Sequence, residues 1–169
     1  EALRDLIVRY FTSHGPALVR DMSWWSGLTV TDLRRGIELA GGALERRAVD
    51  GQDYLAAPGG FEPPPVDGPF VRLLSNYDEY LGSYVDYSPI FDPALPKARN
   101  VADVLGAHIV IRDGFVVGGW RRALGPKAVT VSVTLLLPLD AREREALAAE
   151  AEALGRFFGL PAELRVGDG

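Results

Sequence analysis

The sequence predicts an α+β protein in two parts: three short helices with a β-hairpin, then several antiparallel strands with one long helix near the C-terminus. Three observations carry this. Apolar residues recur at helical spacing through the first forty positions. The pattern then changes to a period of two around the dipeptides Asp50-Gly51 and Asp113-Gly114, strong signals for tight hairpin turns. Finally, a proline-rich stretch separates the two halves.

Leu3, Leu6, Ile7, Tyr10 and Phe11 form one apolar face, and Gly15-Pro16 ends that first helix. A second helix is expected from about Leu18 to Trp25, closed by Gly27. Thr29 or Thr31 is suited to cap a third, whose apolar stripe is Val30, Leu33, Ile37 and Ala40. Gly41-Gly42 stops it, and strands from Ala43 to Val49 and Gln52 to Ala56 flank the Asp50-Gly51 turn. Three compact helices followed by a two-stranded hairpin is the winged-helix pattern, with the third helix as recognition helix and the hairpin as wing.

The expected domains are a winged helix at 1–57, a proline-rich linker at 58–69 containing Pro63, Pro64 and Pro65, and an antiparallel unit at 70–169. In the last, Val71 to Leu74 reads as a strand and Tyr77 to Tyr84 as a turn or short helix. Residues 85–104, with Pro89, Pro93 and Pro96, read mostly as loop. Ala107 to Arg112 and Phe115 to Arg122 form a hairpin, and Ala128 to Leu137 is a long strand. Asp140 and Glu143 make a capping box for a helix whose buried side is Leu147, Ala151, Leu154 and Phe158; Ala162 to Val166 is a last strand. A small antiparallel β-barrel or open sheet is the expected arrangement.

Composition narrows the chemistry. There are no cysteines, which removes disulfides and thiolate metal sites. The two histidines, His14 and His108, lie far apart, so neither a metal nor another cofactor is expected. No apolar run approaches the ~18–20 residues of a membrane span, and a cytoplasmic monomer is the default expectation. The chain opens on Glu1, already inside a helical pattern, and reads as the C-terminal portion of a longer protein.

Net charge is −5, against a generic nucleic-acid binder. The charge is uneven, however. Residues 57–96 carry −5, whereas 97–127 carry +4 and are the only basic stretch. It holds Lys97, Arg99, Arg112, Arg121, Arg122 and Lys127. Arginine outnumbers lysine 16 to 2, an expected consequence of a GC-rich genome that also suits phosphate recognition.

Candidate residues each admit a structural reading. Arg34 and Arg35 on the third helix are placed for phosphate or base-edge contact, or form a solvated face paired with Asp32 and Glu38. Arg46 and Arg47 lie on the wing and face opposite ways, with Glu45 and Asp50 available to neutralise them. Arg121, Arg122 and Lys127 are candidates to hold a duplex backbone beside Trp120, which is itself expected in the core. Asp78 and Glu79 are adjacent and splay apart, so a paired-carboxylate acid–base arrangement is not the first reading. Asp78 is read as a cap of the short helix, an orienter of an arginine, or part of a cleft facing DNA. Tyr80, Tyr84 and Tyr87 are expected to pack. Trp24 and Trp25 are neighbours, one expected inward and one at a domain interface; His14 sits at a helix end, where a cation suits the dipole.

Three motifs in order carry a resemblance. His14-Gly15-Pro16-Ala17 followed by Asp21-Met22-Ser23-Trp24-Trp25-Ser26-Gly27-Leu28 resembles the third winged-helix domain of AlkZ-type DNA glycosylases. LLSNYDEYLGSY at 73–84 and VVGGWRR at 116–122 are similar to two further motifs of that family. The resemblance covers nearly the whole chain. It implies excision of alkylated or crosslinked bases from double-stranded DNA by tandem winged helices and a β-barrel. It also implies a catalytic Gln-apolar-Gln pair, which this chain does not contain: its one glutamine is Gln52 on the wing. No catalytic residue is therefore carried over. The expectation is a DNA-gripping portion of a repair glycosylase; the alternative is a non-catalytic winged-helix module, regulatory or scaffolding, that binds DNA or protein.

Overall fold

The computed structural model describes residues 1–62, 67–92, 95 and 108–168. Pro63, Pro64 and Pro65 of the expected linker, the loop prolines Pro93 and Pro96, and the basic residues Lys97 and Arg99 lie outside them. The chain forms two compact units, one of Glu1–Pro65 with Glu79–Tyr87, the other of Val66–Asp78 with Ser88–Gly169.

In the first unit, α1 (Ala2–Ser13), α2 (Val19–Ser26) and α3 (Val30–Ala40) precede strands β1 (Glu45–Val49) and β2 (Gln52–Ala56). The Thr29 hydroxyl accepts the Asp32 N–H at 3.1 Å and caps α3, while Gly27 closes α2 in the left-handed region. β1 and β2 pair antiparallel through Asp50 and Gly51, both at positive φ, as a two-residue hairpin requires. The core is Ile7, Tyr10, Phe11, Ala17, Met22, Leu33, Ala40 and Leu55. Val30, expected in the stripe of α3, is instead 40% exposed. The segment before α2 is tied to the hairpin by reciprocal backbone hydrogen bonds between Ala17 and Leu55, at 2.9 and 3.0 Å. Gly15 permits this approach, since a Cβ there would stand 2.9 Å from Ala56 Cα. A short helix, α4 (Glu79–Gly82), belongs to the same unit.

The second unit is a five-stranded sheet in the order β3 (Val71–Leu74), β4 (His108–Arg112), β5 (Phe115–Leu124), β6 (Val129–Leu135), β7 (Ala162–Asp168). The sheet is open, not a closed barrel: β3 and β7 are its edges. One physical reason is the 18-residue helix α5 (Ala141–Phe158), which buries Leu147 and Ala151 against Val71, Val110, Trp120, Val129, Val131 and Val133. The helix satisfies the apolar face that an opposite barrel wall would otherwise cover. The expected all-antiparallel pairing also needs correction, because β7 runs parallel to β6. α5 is the crossover that returns the chain to the same end of the sheet, and β7 is the last strand expected at Ala162 to Val166. The capping box of α5 forms as expected: Glu143 N–H donates to Asp140 Oδ1 at 2.8 Å, and Asp140 N–H to Glu143 Oε2 at 2.7 Å.

Candidate nucleic-acid interface

In the first unit the inner side of α3 is buried at Leu33, Gly36 and Ala40. Its outer side carries Arg34 and Arg35, both exposed. Among the described residues neither has a carboxylate within ion-pair distance, so the expected pairing with Asp32 and Glu38 does not form. Asp32 instead accepts the Thr29 hydroxyl at 2.6 Å. Between α3 and the hairpin lies a depression of about 350 Å³, lined by Ile37, Leu55 and the charged Arg34, Glu38, Arg46 and Asp53.

The wing arginines are committed elsewhere. Arg46 pairs with Asp53 at 3.2 Å across the hairpin. Arg47 pairs with Glu62 at 3.2 Å, and its guanidinium stands 4.6 Å from the centre of the Phe61 ring. The partners are Asp53 and Glu62 rather than Glu45 and Asp50.

In the second unit the basic residues separate. Arg112 is held by Glu143 at 3.6 Å, Asp92 at 3.9 Å and the Pro138 carbonyl at 3.3 Å. Trp120 is 4% exposed and donates its indole N–H to the Leu74 carbonyl at 2.8 Å, a core role. Arg121 and Arg122 are both exposed but leave β5 on opposite sides, as adjacent strand residues must. Arg122 shares the side of Trp120, where its guanidinium lies 5.7 Å from the Phe158 ring and 3.3 Å from His108 Nε2. Burial, then the Arg122 charge, pushes the His108 imidazole below its ordinary pKa. Arg121 lies on the side away from α5, opposite Ser132, and Ser132 is in turn opposite Arg165. The sheet thus lays Arg121, Ser132 and Arg165 in one exposed row, with Arg165 bonded to Glu163 at 3.3 Å. Lys127 is exposed in the β5–β6 turn, with no carboxylate partner among the described residues.

Sequence reasoning missed the row through Ser132 and Arg165, because the parallel register of β7 leaves no local signal. It also missed the setting of Glu79. The Ser83 hydroxyl, Trp25 Nε1 at 3.1 Å and His14 Nε2 at 3.4 Å all meet Glu79 Oε2. The Ser83 hydrogen bond, helped by those from Trp25 and His14, holds this carboxyl below the usual range. His14 stacks on Tyr10 with ring centres 4.7 Å apart. Trp24 and Trp25 are 66% and 38% exposed, so neither is a core residue. Tyr84 donates to the His14 carbonyl at 2.7 Å. Tyr80 is half-buried, and burial raises its phenol pKa. Asp78 falls in the other unit, where its N–H donates to the Ser75 carbonyl at 3.3 Å. Among the described residues there is no cluster of three His, Asp or Glu suited to a metal, and no helix long and apolar enough to cross a membrane.

These elements define an α+β chain with exposed arginines on a helix and on a sheet. It belongs to the AlkZ-like DNA glycosylase family, whose model, described as "DNA glycosylase AlkZ-like", matches residues 1–157. Among solved structures it is similar to the DNA glycosylase AlkZ of Streptomyces sahachiroi, at 22% identity and a TM-score of 0.72. That match covers 99% of this chain and 46% of the Streptomyces chain, so the present sequence spans about half the length of that relative. At this identity the likeness is one of fold. No curated protein sequence matches the chain.

Proposed function

We propose that this chain grips double-stranded DNA within a cytoplasmic repair glycosylase that excises alkylated or crosslinked bases. In this reading residues 1–57 act as a winged helix, α3 approaches the major groove, and Asp50-Gly51 is the wing tip. The chemistry served is hydrolysis of the N-glycosidic bond to a purine whose ring alkylation makes it cationic and a better leaving group. No bond-breaking residue is assigned to this chain; its part is to hold the duplex while a water and the developing sugar cation are positioned.

The observation that carries the reading is the pair Arg34 and Arg35, exposed on a helix whose other side is packed and matched by no carboxylate among the described residues. On a chain of net charge −5, unneutralised guanidinium groups on one helix are what a phosphate backbone would meet. Arg121 on the sheet and Lys127 in the β5–β6 turn would add a second contact, whereas Arg47, tied to Glu62, and Arg165, tied to Glu163, would contribute less. The test is duplex affinity against salt for Arg34→Glu/Arg35→Glu. The variant should bind at least about tenfold more weakly and flatten the salt slope by roughly one to two. Unchanged affinity and slope would remove α3 as the contact.

The alternative, a winged-helix module without catalysis that docks on protein, draws support from Val30 and Leu39, apolar and 40% and 55% exposed on α3. Release of an alkylated base by the full-length protein separates the two readings.

A further inference from the structure

The two edges of the sheet in the second unit are finished differently. Asp113 N–H donates to the Phe70 carbonyl at 2.8 Å, so antiparallel alternation leaves Val71 and Leu73 with the outward backbone groups of β3. The chain's own side chains close that edge. The Val71 carbonyl accepts from Arg72 Nη1 at 2.8 Å, and the Leu73 N–H donates to Glu150 Oε2 at 3.4 Å. Arg72 and Glu150 themselves pair at 3.5 Å.

β7 has no such closure. Val129 N–H donates to the Pro161 carbonyl at 2.9 Å, which sets the alternation of the parallel ladder. Glu163 and Arg165 therefore turn their backbone groups to β6, and Ala162, Leu164 and Val166 turn theirs outward. Among the described residues these outward groups have no hydrogen-bond partner. Such an edge is a template for another strand.

The side chains of β7 say which strand fits. Glu163 and Arg165 are exposed on the side of the sheet away from α5, whereas Ala162 and Leu164 pack on the apolar side. An antiparallel copy of β7 centred on Leu164 sets Glu163 against the partner's Arg165, and Arg165 against the partner's Glu163. On the other face it sets Leu164 against the partner's Leu164 and Ala162 against the partner's Val166. The free N–H and C=O groups meet in the same register: Leu164 exchanges hydrogen bonds with the partner's Leu164, and Ala162 with the partner's Val166. A slip of two residues either way opposes Glu163 to the partner's Glu163 or Arg165 to the partner's Arg165, which is unfavourable. A slip of one residue mismatches the faces and the free backbone groups. The charge pattern of β7 is thus complementary to itself in one register.

We propose that β7 is a homodimerisation edge, pairing antiparallel with β7 of a second copy about a twofold axis at Leu164 and joining the two sheets into one. The pairing is isologous and closes on itself, so it yields a dimer and not a fibre. It does not depend on the DNA reading.

The test is sedimentation equilibrium of the 169-residue chain without DNA, with amide hydrogen exchange read at low and high protein concentration. A dimer is expected with Kd below about 1 mM. Glu163→Arg faces the partner's Arg165 with a second cation and should weaken the dimer at least about tenfold. The same change brings the net charge of −5 closer to zero and so lessens general repulsion between copies, which would act in the opposite direction. The exchanged pair Glu163→Arg/Arg165→Glu recovers the complementarity and should return Kd to within about threefold of the parent. In the parent, the Leu164 and Val166 amides should become protected as concentration rises, while those of Glu163 and Arg165, already bonded to β6, should not change. A chain that stays monomeric, a dimer unaffected or tightened by Glu163→Arg, no recovery in the exchanged pair, or Leu164 exchange independent of concentration would each overturn the proposal.

Discussion

The phenol of Tyr10 donates to the carbonyl of Ser83 at 3.1 Å, joining α1 to a segment 73 residues away. Tyr10 is 1% exposed and Ser83 is fully buried, so the bond is made out of reach of solvent. Tyr10→Phe leaves that carbonyl without its donor, at an expected cost of about 1–3 kcal/mol in urea unfolding. A loss below a few tenths would mean another donor takes the place of the phenol.

The same phenol sets an alkaline limit. Burial, reinforced by the negative charge of Asp21, raises the phenol pKa of Tyr10, and the same two causes raise that of Tyr84. The native state therefore keeps protons that the unfolded chain has lost. This contribution is fully present below the unfolded value of about 10 and declines as pH climbs beyond it. Stability should hold level through pH 8–9 and fall above about pH 10, more shallowly in Tyr10→Phe. Parallel declines in the two proteins would assign the alkaline limit to other groups.

Gly36 of α3 faces Leu3 and Ile7 of α1. A Cβ there would stand 2.9 Å from Leu3 Cγ and overlap the Ile7 side chain. On an open helix face Gly→Ala gains about 1 kcal/mol. Here overpacking of about 1–3 kcal/mol opposes that gain, and Ile7 is fully buried with little room to move. Gly36→Ala is expected to be destabilising by about 1 kcal/mol in chemical denaturation; an increase in stability would show that Leu3 and Ile7 yield.

Arg121 and Arg165 flank Ser132 on one sheet surface, whereas Arg122 leaves by the other. If the sheet touches a duplex through that row, charge reversals at Arg121 and Arg165 should be non-additive in binding free energy. Those at Arg121 and Arg122 should add within about 0.5 kcal/mol. Each reversal that removes a phosphate contact should flatten the salt slope by about one. Strong coupling between Arg121 and Arg122 would show that side-chain reach overcomes the opposed strand faces.

What could be read from the sequence was local chemistry. The Thr29 cap, the Asp140–Glu143 box and the two Asp-Gly turns each involve residues within three positions of one another, and each forms as the local pattern suggests. What escaped depends on register and distant pairing. The row from Arg121 to Arg165 needs the parallel placement of β7, which a one-residue slip would invert. Glu79 meets Trp25 and His14 across 54 and 65 residues, and Arg47 finds Glu62 across 15. No periodicity encodes such meetings; they follow from how the helices pack. An adjacent pair of basic residues is likewise a cluster in sequence and, on a strand, two separate surfaces.

Glu79 supplies an acid-side prediction. Its folded pKa is lowered, first by the Ser83 hydrogen bond and then by those from Trp25 and His14. The native state thus binds fewer protons than the unfolded chain in the carboxylate range. This contribution is present above the unfolded value of about 4.3 and is lost as pH falls through the lower native value. The side chain is 67% exposed, so solvent screening keeps the contribution below about 1 kcal/mol. Glu79→Gln should have a slightly lower urea midpoint than the parent at pH 7, and the two midpoints should converge below about pH 4. A gap of constant size down to pH 3 would show that the hydrogen-bonded shape of the side chain, and not its charge, holds α4 in place.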